Sequence, residues 1–182
     1  MTNFLIAKEE RINQFRENLR VAGDVLEIGT GSGVIADFCY QSGVDMVIAV
    51  DINPHAVNHV RQTYPHIISY ESDLFSEITQ KFDDIIFAAP WSIGKIETPL
   101  DYAIYDDGVV ERFFQDADAY LKTNGRLWVQ YCDAFEDNFK NFPIWVSNGG
   151  FEVVDQWSYS TFGRLVGRNV NVILYRIERS AA

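Results

Sequence analysis

The sequence predicts a three-layer α/β fold: an open sheet of seven strands, mostly parallel, ending in an antiparallel hairpin. Three observations carry this expectation. Short apolar runs alternate with segments of helical periodicity from Val25 to Gln130. A glycine-rich turn, Gly29 to Gly33, joins the first such run to a helix. After Gly149-Gly150 two long strand-like runs follow with no room for a helix between them, so they should pair antiparallel.

The elements follow in order. Ile12, Phe15 and Leu19 fall at helical spacing among charges, which predicts an amphipathic helix from about Lys8 to Arg20, ended by Gly23 and Asp24. Val25 to Ile28 is a short apolar strand, and Val34, Ile35, Phe38 and Cys39 mark one face of the helix after the glycine turn. Met46 to Val50 is almost wholly apolar, as a strand buried on both faces must be. Asn53 is a good N-cap and Pro54 suits the first helical position. Ala56, Val57, Val60 and Tyr64 then line that helix, and Pro65 stops it. Ile67 to Tyr70 and Ile85 to Ala88 read as the third and fourth strands. A polar and aromatic loop, Ala89 to about Gly108, precedes a helix carrying Val109, Val110, Phe113, Phe114, Ala117, Tyr120 and Leu121. Asn124-Gly125 turns into a fifth strand, Arg126 to Gln130. Ala134 to Asn148 is helical, with an interruption expected at Pro143. Phe151 to Tyr159 and Val170 to Ile177 form the closing pair.

Size and composition bound the function. A chain of 182 residues suits one domain, read as 1–182 with an N-terminal helix in 1–22 and a core in 23–182. Cys39 and Cys132 both sit in apolar segments and read as packing residues in a reducing compartment, so the cytoplasm is expected. No apolar run approaches the roughly 20 residues that cross a bilayer. A net charge of −11 disfavours a nucleic-acid partner. The best basic patch is Arg164 and Arg168, joined by Arg11, Arg16 and Arg20. His55 and His59 lie four apart on one helix, but no glutamate between them completes a metal-binding motif, so no metal is expected.

Chemistry concentrates at the ends of the first two strands. In open α/β sheets ligands bind beyond the carboxyl ends of the strands. Glycines there permit a sharp turn and close backbone approach, and the helix N-terminus behind them favours an anionic group. The loop alone leaves two cofactor classes open, because Gly31, Gly33 and Ala36 also satisfy a dinucleotide pattern. Asp51, at the end of the second strand, could accept both hydroxyls of a ribose in either class.

The longer stretch Val-Leu-Glu-Ile-Gly-Thr-Gly-Ser-Gly, Val25 to Gly33, closely resembles motif I of class I methyltransferases that use S-adenosylmethionine (SAM). Ala49 to Pro54 resembles their second motif, and Ser72-Asp73-Leu74-Phe75 follows the third strand where that family often places an acidic residue. The resemblance implies a Rossmann-like sheet and SAM as cofactor, with S-adenosylhomocysteine as product. It implies that the backbone of Gly29, Thr30, Gly31 and Gly33 holds the methionine end with help from Glu27. Asp51 and Ile52 would then take the ribose side, and Asp73 and Leu74 the adenine.

Ala88-Ala89-Pro90-Trp91 resembles, in part, the Asn-Pro-Pro-Tyr motif of methyltransferases that modify amide or exocyclic nitrogens, release-factor glutamine methyltransferases among them. Pro90 and Trp91 match. Ala88 replaces the asparagine and removes its side-chain acceptor, leaving a backbone carbonyl to orient an acceptor. Ala88, Pro90 and Trp91 are thus the candidate positioning residues at the methyl group. Trp91, Tyr102, Tyr105, Asp106 and Asp107 are candidate acceptor contacts, unless Asp106 or Asp107 caps the helix that follows. One short helix precedes the first strand, where release-factor enzymes carry a substrate domain. A small-molecule or protein side-chain acceptor is expected. The alternatives are a SAM-binding domain without transfer activity and an RNA or DNA amino-group methyltransferase.

Overall fold

The computed structural model describes residues 6–92, 94–98, 101–163 and 166–181, with backbone only at 6–8 and 102. Seven strands form one sheet: β1 (Asp24–Ile28), β2 (Met46–Asp51), β3 (Ile68–Glu71), β4 (Phe82–Ala88), β5 (Leu121–Cys132), β6 (Phe151–Gly163) and β7 (Arg168–Arg179). Their order is β3-β2-β1-β4-β5-β7-β6. β1 to β5 run parallel, whereas β7 runs antiparallel to both β5 and β6. The fold is therefore the mostly parallel sheet with an antiparallel end that the sequence predicts.

Among the described residues five α-helices cover the two faces: α1 (Ile6–Asn18), α2 (Val34–Gln41), α3 (Pro54–Thr63), α4 (Val109–Tyr120) and α5 (Glu136–Asn148). Side chains alternate along each strand, so each strand contributes to two cores. Leu26, Ile28, Ile85 and Phe87 pack with Val110, Phe113 and Phe114 of α4 and Phe142 of α5. Val25, Ile86 and Trp128 pack on the other face with Phe15 and Leu19 of α1, Ala36 and Cys39 of α2, and Val60 of α3. On α2 the buried centre is thus Ala36 and Cys39, with Ile35 and Phe38 packed at its flank.

Four elements depart from the sequence-based expectation. β5 starts at Leu121, a residue expected on α4, and runs through Asn124-Gly125, a pair expected to turn, to Cys132. α5 runs unbroken through Pro143, whose ring faces solvent while Phe142 and Val146 are buried. Tertiary burial of those two residues holds the helix against the lost hydrogen bond. β4 starts earlier than expected, because it includes Asp84, which is fully buried. Its carboxylate accepts from Arg126 Nε and Nη2 at 2.8 Å, from Trp128 Nε1 at 2.8 Å and from Ala22 N at 3.0 Å. β6 and β7 extend to Gly163 and Arg168, past the last β5 pairing at Cys132–Val172, so their hairpin overhangs the carboxyl edge of the sheet.

Candidate active site

The chain turns one way from β1 to β2 and the other way to β4, so the switch of strand order lies at the end of β1. The glycine loop emerges there. Gly29, Gly31 and Gly33 have φ of 68°, 53° and 75°, a left-handed region that side chains disfavour. Their roles differ. A Cβ on Gly33 would stand 2.8 Å from Val60 Cγ2 and 3.0 Å from Tyr64 Cδ2, so this glycine lets α2 approach α3. A Cβ on Gly31 would meet nothing closer than 4.0 Å, so this glycine faces open space where a ligand can approach the backbone.

Two carboxylates hold the loop. Glu27 is buried, and its Oε2 accepts from Thr30 Oγ1 at 2.5 Å and from Ala36 N at 3.1 Å. It thus ties β1, the loop and the first turn of α2 together. Its Oε1 has no protein partner among the described residues. Burial pushes its pKa up to about 8, against the lowering effect of those two donors. Asp51 Oδ2 accepts from Gly31 N at 2.9 Å, and Oδ1 accepts from Asn53 N at 2.8 Å. Burial raises its pKa above the ordinary aspartate value, while both backbone donors oppose the rise. Thr30 N donates to Val50 O at 3.0 Å, which carries the β1–β2 ladder into the loop. Asn53 caps α3 as expected, its side chain accepting from His55 N at 3.0 Å.

A groove of about 550 Å³ continues from there, lined by Ile52, Tyr70, Glu71, Ser72, Asp73, Ser76 and Glu77. Leu74 is buried beside it and adopts φ 49°, the one positive φ of a non-glycine residue among those described. Ser72 sustains that strain: its buried hydroxyl donates to Leu74 O at 2.8 Å and accepts from Glu77 N at 3.2 Å. Asp73 is half-exposed and paired with Arg112 of α4, at 3.1 Å and 3.4 Å. A carboxylate has about four lone-pair positions, so Asp73 keeps acceptor capacity beyond this pair. Glu27, Gly29, Thr30, Gly31, Gly33, Asp51, Ile52, Asp73 and Leu74 thus lie along one continuous edge.

The loop after β4 lies on the other side of the switch. Ala89 N donates to Gln130 O at 3.1 Å, and Trp91 packs half-buried between two apolar clusters. Ser92 and Asp106 pin the loop, through Ser92 N to Ile104 O at 3.0 Å and Asp106 N to Ser92 O at 2.9 Å. Asp106 caps α4: its Oδ1 accepts from Gly108 N at 3.0 Å and Val110 N at 3.4 Å. The helix-capping reading of Asp106 is the one the structure bears out. The Tyr105 ring lies over Gly94, so close that a Cβ there would overlap it. The Tyr102 side chain lies outside the described residues.

The basic residues are distributed rather than pooled. Arg168 donates to the carbonyls of Asp133, Ala134 and Asn169, Arg20 to those of Leu19 and Glu17, and Arg164 lies outside the described residues. His55 and His59 are exposed, and His66 pairs with Asp37 at 2.9 Å. Among the described residues no three His, Cys, Asp or Glu side chains gather to hold a metal ion. No helix among them is long and apolar enough to cross a membrane.

Sequence reasoning missed the polar contacts beneath α1. Gln130, 1% exposed on β5, accepts from Arg11 Nε at 2.7 Å and donates to Gln14 Oε1 at 2.7 Å. Gln14, itself buried, donates to Trp157 O and Val172 O. The one available signal was an amide at the end of an otherwise apolar strand, Leu127 to Tyr131.

A glycine loop at the switch point, two carboxylates at strand ends and a groove beyond them place the features of an open α/β fold's ligand edge together. The chain belongs to the methyltransferase small domain family, whose model matches residues 11–155. A Methanocaldococcus jannaschii protein whose name assigns it N5-glutamine methylation is 37% identical over 115 residues, covering 56% of this chain and 58% of its own. The release factor glutamine methyltransferase of Streptococcus pneumoniae is 30% identical over 132 residues, 63% of this chain and 47% of its own. A small-subunit ribosomal RNA methyltransferase C of Haemophilus influenzae is 28% identical over 145 residues, 74% of this chain and 42% of its own. The chain thus spans about half the length of these curated relatives. Among solved structures, the ribosomal protein L11 methylase of Lactobacillus delbrueckii superposes with a TM-score of 0.70 at 15% identity, covering 96% of this chain and 79% of that one. The precorrin-6y C5,15-methyltransferase of Geobacter metallireducens gives 0.68 at 14% identity, covering 100% and 93%. These two likenesses establish the fold.

Proposed function

We propose that this chain is a SAM-dependent methyltransferase acting on a protein side chain or a small molecule. The observation that carries the reading is Asp51, whose carboxylate joins the Gly31 backbone to the start of α3 in the place a ribose needs. The residues fit the cofactor: Gly31 opens to ligand, Glu27 Oε1 is available to an ammonium, and the Ile52–Asp73 groove suits a purine. SAM supplies an electrophilic methyl group on sulfonium, so the protein's main task is to hold a nucleophile in line. The loop of Gly29, Thr30, Gly31 and Gly33 borders the methionine end, its shape fixed by Thr30 N on Val50 O and Gly31 N on Asp51 Oδ2, and Asp73 with Leu74 borders the adenine. Ala88, Pro90 and Trp91 form the acceptor side. With no side chain at Ala88 to accept a hydrogen bond, a backbone carbonyl there orients the acceptor and Trp91 supplies an apolar wall.

Two glutamine methyltransferases among the relatives favour a protein acceptor, and the charge of −11 weighs against RNA. We take residues 1–182 as one domain with its core in 23–182, working in the cytoplasm, where Cys39 and Cys132 stay as buried free thiols. Calorimetry should detect SAM binding that Asp51→Ala weakens at least tenfold. Unchanged affinity in that variant would sink the site. Radiolabelled SAM offered with glutamine-containing peptides, small amines and total RNA should label a peptide or amine fraction. Label confined to RNA would move the acceptor to nucleic acid. No label in any fraction, with SAM binding intact, would favour the second reading, a binding domain that Ala88 has disarmed.

A further inference from the structure

A cation on the α1 face beside the end of β5 has no carboxylate partner among the described residues. Arg11 of α1 is half-buried, and its Nε donates to Gln130 Oε1 at 2.7 Å. Gln130 cannot turn to release it, because its own amide nitrogen donates to Gln14 Oε1 at 2.7 Å and to Arg11 O at 3.2 Å. Nη1 and Nη2 have no hydrogen-bond or ion-pair partner among the described residues. The titratable groups that act on Arg11 are Tyr159 and Cys132, both neutral at pH 7. Burial holds its pKa below the ordinary arginine value, yet the guanidinium stays charged. The guanidinium is thus held at Nε, with Nη1 and Nη2 left to meet a ligand.

Its position says what completes it. Gln130 is in register with Ala88, and Ile86, two residues earlier on β4, is in register with Glu27. By strand alternation Glu27, Ala88 and Gln130 share the α1 face of the sheet. Gln130 stands one strand beyond β4 and two beyond β1, roughly 10 Å from the glycine loop. A ligand whose nucleoside lies over β2 and β3 directs its amino-acid end across β1 toward β4 and β5. On the SAM reading Glu27 lies on the β1 side of that end and the Gln130–Arg11 pair on its β5 side.

We propose that Arg11, aimed by Gln130, binds the α-carboxylate of the cofactor's methionine moiety, with Glu27 beneath the ammonium. This rests on the SAM reading above and deepens it. The planar guanidinium offers a carboxylate two parallel N–H groups, which a lysine cannot match.

The test compares two ligands by calorimetry. S-adenosylhomocysteine carries the amino-acid carboxylate, whereas 5′-methylthioadenosine has the same nucleoside thioether and lacks it. Arg11→Met should raise the Kd of S-adenosylhomocysteine roughly tenfold or more and leave that of methylthioadenosine within twofold. Arg11→Lys, which keeps the charge, should fall between wild type and Arg11→Met and provides a second variant if the first unfolds. Equal weakening of both ligands, or no change in either, would overturn the assignment while leaving the SAM site intact. Failure of the wild-type protein to bind either ligand would instead overturn the site itself.

Discussion

Glu27 and the glycines beside it show how single residues divide structural and ligand-directed work. Glu27 has its pKa raised from 4.5 to about 8 by burial. Between those values the folded chain keeps a proton that the unfolded chain has lost. Its contribution to stability is therefore complete below about pH 4.5 and is lost as pH rises toward 8. Compared with Glu27→Gln, the wild-type protein should lose on the order of a few kcal/mol between pH 5 and 8.5. Urea melts of both proteins at several pH values check this, and parallel curves would refute it. The glycines separate in the same manner. Gly33→Ala must force a Cβ against Val60 and Tyr64 at positive φ, and should cost about 1–3 kcal/mol in thermal unfolding. Gly31→Ala meets no such contact, so it should cost less stability yet weaken SAM more than Gly33→Ala does in the folded fraction. The residue pattern made all three glycines visible, but nothing in it distinguished the one that faces α3 from the one that faces open space.

At the scale of elements, α5 and α1 carry the lessons. Pro143 lies in the eighth position of α5, exposed, with its ring where an N–H should bond Phe139 O. Pro143→Ala restores that bond without touching the buried face of Phe142 and Val146. It should stabilise the protein by about 1–3 kcal/mol, read as a higher Tm. A fall in Tm would mean that the ring packs against something that matters more. Local propensity argues for a break at Pro143, and burial on the opposite face overrides it. α1 shows the converse. Ile12, Phe15 and Leu19 mark a helix by spacing, but Gln14 lies on the buried side because Gln130, Trp157 and Val172 meet it there. A partner 116 positions away leaves no trace in local periodicity.

For the whole molecule, the two ends of the sheet do different work. The carboxyl ends hold the glycine loop, Asp51 and the Ala88–Trp91 turn. The opposite end is clamped by Asp84, which joins β4 to Arg126 and Trp128 of β5 and to the chain entering β1. Asp84→Ala leaves Arg126 without its buried partner and should destabilise the fold by about 3–5 kcal/mol. Denaturant unfolding measures that loss. SAM affinity of the folded fraction should stay within a few-fold, because the clamp lies a strand length from the site.

Residue pattern alone carried the alternation of strands and helices, the antiparallel end, the glycine loop and Asp51 at the end of the second strand. These are local signals: the backbone demands glycine where φ is positive, and apolar periodicity names the face to be buried. Long-range packing settled that β7 lies between β5 and β6, that Asp106 caps a helix, that Asp73 meets Arg112, and that Gln130 holds Arg11. Each depends on which distant side chains share a desolvated space. A polar group there must find its hydrogen bonds wherever the fold brings a partner, however far apart the two lie along the chain.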